Sequence, residues 1–381
     1  MQYKSIEYKD LSTLVTLAFF ESRGVTECHA SIELSFKMAA TAQTQYSQTE
    51  ETLSRLMKLP EFTAMTLVWK RYFASDAINQ ASFINSSSDS KVAVSIVQQQ
   101  PLNGTKVVLL AYFVSGSEVE GTATSVVLKR PDYEHYFNMQ MHSTAGNVAE
   151  QTTNIFETYT RFLQSNGCTL KDNAIRTWIY IQDIDVQYAG MVTSRNNIFK
   201  KEGLTRDTHF IASTGIEGHY ICPEALMEID AYAIKGVDER QIKYLHAATH
   251  LNPTYEYGVS FERGTAVDYG DRRHVYISGT ASIDNKGRIV YPLDVEKQTE
   301  RTLENIKMLL KEADTSMNDV GQMTVYLRDI ADYQVIKSYF DNNYAQIPKV
   351  IVLAPVCRPG WLIEVECIAI KNIENKSFKP F

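Results

Sequence analysis

Apolar residues along this chain change their spacing in a fixed order, and that order recurs. Near the C-terminus, Leu303, Ile306, Leu310 and Ala313 fall three and four residues apart, the period of one helix face. The helix they predict opens with Gln298-Thr299-Glu300-Arg301-Thr302-Leu303. Period two follows, with Met323, Val325 and Leu327 on one face of a strand at 323–330. A second helix and strands at 349–356 and 361–370 complete the unit, joined by a tight connection at 357–360. Earlier, Gln151-Thr152 opens a helix with Ile155, Tyr159, Phe162 and Leu163 inward, followed by strands at 176–184, 209–215 and 225–234. Earlier still, Gln48-Thr49-Glu50-Glu51-Thr52-Leu53 opens the same series, with strands at 66–73, 91–97 and 105–114. β-Hairpin material precedes each helix, at 27–40, 136–146 and 274–290, the last turning on Asp284-Asn285-Lys286-Gly287.

A repeat of this length, mixing both periods, predicts an α+β fold of three tandem units in which mixed sheets pack with helices. The expected units are 1–116, 117–238 and 239–381, with joints near 114–120 and 235–255 and an exposed serine-rich loop at 85–90. In this register Glu228 and Asp230 match Glu364 and Glu366, while Val107 and Leu109 stand there in the first unit.

The 381 residues are 44% hydrophobic and 22% charged, enough for packed cores. Net charge is −7 without a basic run, which argues against nucleic acid as a partner. The apolar stretch at 14–20 is too short to span a bilayer, and the opening residues lack a signal-peptide layout. Cys28, Cys168, Cys222, Cys357 and Cys367 form no CxxC pair and read as reduced thiols of a cytoplasmic protein. His246 and His250 are four apart on a predicted helix but have no third ligand, so no metal is expected. No GxGxxG or phosphate loop is present, and no cofactor is expected.

Three stretches carry a family resemblance: Ser278-Gly279 after a strand, Thr324-Val-Tyr-Leu-Arg-Asp-Ile330, and Arg358-Pro-Gly-Trp-Leu-Ile-Glu-Val-Glu-Cys-Ile-Ala369. Through them, residues 257–371 resemble the Rid (YjgF-like) family, whose members are homotrimers with sites in the clefts between subunits. Three copies in one chain imply an internal, chorismate-mutase-like pseudo-trimer and a monomeric protein. The whole length is similar to the chorismatases, which cleave the enolpyruvyl ether of chorismate to release pyruvate. Ala212-Ser-Thr-Gly-Ile216, Tyr269-Gly270-Asp271 and the run from Cys357 to Glu366 carry that likeness. It implies that Glu364 is the catalytic acid. It also implies that Gly270 and Cys357 are the pair marking the 3-hydroxybenzoate-forming branch.

An enol ether breaks when its methylene carbon takes a proton, and burial raises a carboxyl pKa enough to supply one near neutrality. Alternation puts Glu364 and Glu366 on one face. Pattern alone turns both to solvent; the resemblance buries Glu364 only. Cys357 and Cys367, read singly, are inert small hydrophobes; the resemblance gives Cys357 a part in the rearrangement to an aromatic product. A small dianionic substrate such as chorismate needs cations, and Arg263, Lys349, Arg358 and Arg195 are candidates, each of which singly reads as a solvated charge. Lys349 stands where Rid imine deaminases carry an arginine, and lysine lacks the bidentate fork. Ser213-Thr214-Gly215 either lines the same cleft from the second unit or simply ends a strand. The leading expectation is a chorismate-cleaving enzyme. An enamine or imine hydrolase of the Rid type, a group that includes proteins labelled endoribonucleases, and a non-catalytic binder of small ligands are the alternatives.

Overall fold

The computed structural model of the chain describes residues 1–35, 40–84 and 91–381. The expected serine-rich loop at 85–90 and the end of the first hairpin stretch, 36–39, lie outside the described residues. Three mixed sheets follow one another along the chain. The first runs Gln2–Tyr8, Thr13–Ser22, Val25–Leu34, Val107–Ser115, Met65–Ala74, Ala93–Gln98 in spatial order. The second runs Glu118–Thr122, Ser125–Lys129, Glu134–His142, Met227–Lys235, Ala174–Ile181, Ala212–Glu217. The third runs Ile242–Leu245, Gly264–Asp268, Arg272–Ala281, Ile363–Asn372, Val320–Leu327, Lys349–Leu353, and ends on the short strand Gln100–Pro101 contributed by the first unit. Each sheet thus repeats one plan: an antiparallel hairpin, the unit's last strand, then two parallel strands. The apolar stretch at 14–20 lies in the strand Thr13–Ser22. No helix among the described residues is long and apolar enough to cross a membrane.

A β-bulge at one register fixes how the repeats correspond. In each sheet the ladder slips just before Trp69↔Tyr112, Arg176↔Tyr232 or Gln322↔Ile368. Counting from it, Phe73, Tyr180 and Tyr326 face Val108, Glu228 and Glu364. The first-unit residues at the two carboxylate positions are therefore Val108 and Leu110, one residue beyond the expected Val107 and Leu109: the correspondence is set by strand pairing, which a count along the sequence does not see.

One face of each sheet is covered by its own helices, chiefly Ala42–Met57, Val148–Ser165 and Val295–Glu312, whose apolar stripes include Leu53, Ile155 and Ile306. The other face meets the neighbouring units. Both faces of the strand Val320–Leu327 are buried as a result, which is why polar Thr324 and Tyr326 sit in the interior beside Val325. Three buried ion pairs join the units in a ring: Arg71 to Asp230 at 2.8 Å, Arg176 to Glu366 at 2.6 Å and Arg272 to Glu27 at 2.6 Å. Such pairs repay little net stability after desolvation; their effect is to fix which faces meet. The helix expected through His246 and His250 is absent. Ile242–Leu245 is a strand, and a turn with Ala247 at φ 46° sends His246 toward Glu262 and His250 toward Glu304.

Candidate active site

The seam between the second and third units forms where the strand Ala212–Glu217 packs on Arg272–Ala281. Ser213 N–H donates to Ser278 Oγ at 2.9 Å, and Gly279 N–H to Thr214 Oγ1 at 2.9 Å. Behind them, on Ile363–Asn372, Glu364 stands opposite Ala281 and Tyr326. Glu364 is 4% exposed, and no described residue hydrogen-bonds to its carboxyl. Burial, and then the neighbouring Glu366 charge, push it from the usual 4.5 to about 8, so it holds its proton at neutral pH.

The expected tight link at 357–360 is instead a crossover at 354–362, because Lys349–Leu353 and Ile363–Asn372 lie on opposite sides of Val320–Leu327. It brings Cys357 into the cleft that Glu364 lines. Burial and the Glu364 charge push the Cys357 thiol from 9 to about 12, against a hydrogen bond from Tyr188. It is a thiol, not a thiolate, near neutrality. Around the pair stand Arg195, Arg263 and Arg358. Arg195 is 2% exposed, and its Nε and Nη2 have no hydrogen-bond partner among the described residues. A buried guanidinium left this open is set up for an anion that arrives from outside. Arg263 donates to Asn252 O, and Arg358 lies 4.8 Å from the Tyr257 ring. Tyr257 ends the turn Thr254–Tyr257 and, with Arg358, lines the cleft. Only about 30 Å³ is open to water, room for a water or two.

The structure thus gathers Glu364, Cys357, Arg195, Arg263, Arg358, Ser213 and Gly215, with Thr214 directly behind them. Arg195 and Arg263 are buried rather than solvated. Cys367 is buried in the strand interior. Three expected residues lie elsewhere. Gly270 closes the far end of the hairpin that carries Gly279, about 30 Å of strand away; it donates to Lys379 O at 2.7 Å. Tyr269 packs with Tyr133, His135, His274 and Phe381. Lys349 begins a strand whose edge meets the first unit, donates to Tyr344 O and faces Glu33; that edge belongs to the next seam of the ring. The glycine beside the acid is Gly279, where an added Cβ would collide with Glu364 Oε1.

Glu366 was expected in solvent. It is 5% exposed and accepts from Trp178 Nε1 at 2.9 Å, from Arg176 Nη2 at 2.6 Å and from Thr214 Oγ1. Tyr188, Tyr257 and Trp361 also line the cleft. A signal for Tyr188 existed in its spacing of seven from Arg195 on the helix Ile184–Lys201, two turns along one face. Among the described residues, no three His, Cys, Asp or Glu side chains converge as a metal site.

Comparison with known proteins places this unit. The family model described as Endoribonuclease L-PSP matches residues 264–371. A RutC family protein of Pyrococcus abyssi is 34% identical over 100 residues, 26% of this chain and 79% of that protein. A protein named 3-aminoacrylate deaminase RutC, of Acinetobacter baylyi, is 32% identical over 97 residues, 25% of this chain and 77% of its own. The chain belongs to the RutC (Rid/YjgF) family, with its C-terminal unit carrying the match. Over a larger span it has the fold of a crystallised chorismatase, at a TM-score of 0.64 and 17% identity, covering 80% of this chain and 93% of that one.

Proposed function

We propose that this protein cleaves the enolpyruvyl ether of chorismate, giving pyruvate and a hydroxybenzoate, 3-hydroxybenzoate in the first instance. One observation carries the reading: a buried, protonated Glu364, without a hydrogen-bond partner among the described residues, shares one cleft with three arginines. The acid supplies the proton that turns the methylene carbon into the methyl group of pyruvate. The arginines, Arg195 above all, meet the substrate's two carboxylates. Pyruvate leaves with the ether oxygen, and the remaining ring keeps one hydroxyl and aromatises by losing a ring proton, so the atoms balance without added water. Cys357 lines the same cleft as the acid, and its thiol assists the shift of that hydroxyl. The chorismatase-like fold supports the assignment at the level of architecture.

The ring closed by the three ion pairs supports a monomer, because the faces that a trimer would bury are already covered within one chain. The test is incubation with chorismate, with pyruvate and aromatic products resolved by chromatography. Pyruvate with 3-hydroxybenzoate is expected. Turnover of 2-iminopropanoate with chorismate untouched would replace this reading with imine hydrolysis.

A further inference from the structure

We infer that Glu366 is a positioning residue for this site: an anion pinned by three donors of the second unit, whose fixed charge makes Glu364 the member of the pair that carries the proton. The inference deepens the proposed function and rests on it for its catalytic meaning. Its geometry stands alone. Two carboxyls two residues apart on one strand face share a dry environment, and both cannot ionise cheaply there. Their partners decide which one does. Arg176, Trp178 and Thr214 all bond Glu366, whereas no described residue bonds the carboxyl of Glu364.

The other charged and titratable groups near Glu364 do not reverse that choice. From the second unit come Arg176, whose Nη2 is engaged by Glu366 and Thr214, and Arg195, with Tyr188 beside Cys357. From the third come Arg263, engaged by Asn252, then Arg358, the Cys357 thiol, and Tyr326 across the ladder. Tyr257 lines the site between Arg263 and Arg358.

The same division of partners recurs one seam back. Asp230, in the position of Glu366, accepts from Arg71 Nε and Nη2 and from Gln140 N–H. Glu228, in the position of Glu364, is 0% exposed, and neither of its oxygens has a partner among the described residues. What differs is space. The bulged registers put Gln140 where Gly279 stands and Ile96 where Gly215 stands, so the seam at Glu364 has two glycines where the seam at Glu228 has side chains. The pinned anion with a bare acid is therefore a repeated arrangement, and the glycines turn one copy of it into a site.

The test needs no substrate. The infrared band of the protonated Glu364 carboxyl, assigned by its absence from Glu364→Gln, is titrated in the wild-type protein, in Glu366→Gln and in Arg176→Met. Removing the pinned anion is expected to lower the Glu364 midpoint by about one pH unit or more, and removing its counter-ion to raise it. Opposite shifts are a signature that general loosening of the seam does not produce, and either variant alone still gives a sign if the other fails to fold. A Glu364 midpoint unmoved in folded Glu366→Gln, or moved the same way in both variants, overturns the inference. Chorismate turnover is scored separately. Shifted midpoints without turnover retain the inference and defeat the proposed function; turnover with unmoved midpoints does the reverse.

Discussion

Replacing Glu364 with glutamine is expected to abolish turnover and, near neutral pH, to stabilise the fold. The carboxyl titrates at 4.5 when exposed and at about 8 when folded. Below the lower value both states hold the proton, and Gln mimics that neutral form in shape. Above it the unfolded chain ionises while the folded one does not, so the stability of the wild-type protein falls with rising pH until about 8. Each pH unit in that interval is worth about 1.4 kcal/mol. By about pH 7 the buried acid therefore costs roughly 3 kcal/mol, which Glu364→Gln recovers. Urea unfolding midpoints of the two proteins, compared at about pH 4.5, 7 and 8.5, measure the difference. It should be near zero at the acid end and grow with pH in favour of the variant. A difference constant with pH, or a variant less stable at every pH, would refute the claim that Glu364 is held as a neutral acid.

Other outcomes follow from the same geometry. Turnover should decline as pH rises through about 8, where Glu364 loses its proton; a rate still climbing there would remove it as the acid. Cys357, pushed up to about 12, should react with iodoacetamide roughly a thousandfold more slowly than a free peptide cysteine at about pH 8, as followed by mass spectrometry, and a rate within tenfold of that cysteine would contradict its burial. Arg71→Met should cost about 3–5 kcal/mol by leaving Asp230 buried and unpaired. Adding Asp230→Asn, which still accepts from Gln140 N–H, should restore most of that; equal losses in the single and double variants would show that the pair is not the cause. Light scattering should give the mass of one chain, and a stable trimer would show that the ring does not cover the trimer faces.

Local pattern carried the fold a long way. The alternation of Met323, Val325 and Leu327 and the helical spacing of Leu303, Ile306 and Leu310 are each the image of a buried stripe, and all of these residues are 0% exposed. The resemblance, not the pattern, pointed to Cys357 and Glu364 together; the strands on either side of Cys357 turn out to flank a third, Val320–Leu327, which no local spacing shows. The failures share a different cause. Glu366 looks like a solvated charge until Arg176, 190 residues away, is seen to meet it. Lys349 and Arg195 are both cations on the sheet-and-helix frame, and only the arrangement of the units around the ring decides which seam each one faces. Gly270 and Gly279 lie on one hairpin; choosing between them requires knowing which end reaches the acid, and that depends on how the strand Ala212–Glu217 of another unit lies against it.

In the proposed reaction Glu364 gives a solvent-derived proton to the methylene carbon of chorismate. That step is tested most directly by running the reaction in deuterated water and quenching early, with the released pyruvate examined by mass spectrometry. Pyruvate carrying one solvent deuterium in its methyl group is expected from the wild-type protein, and none from Glu364→Gln. Pyruvate whose third methyl hydrogen comes from the chorismate ring, or full activity in Glu364→Gln, would contradict it.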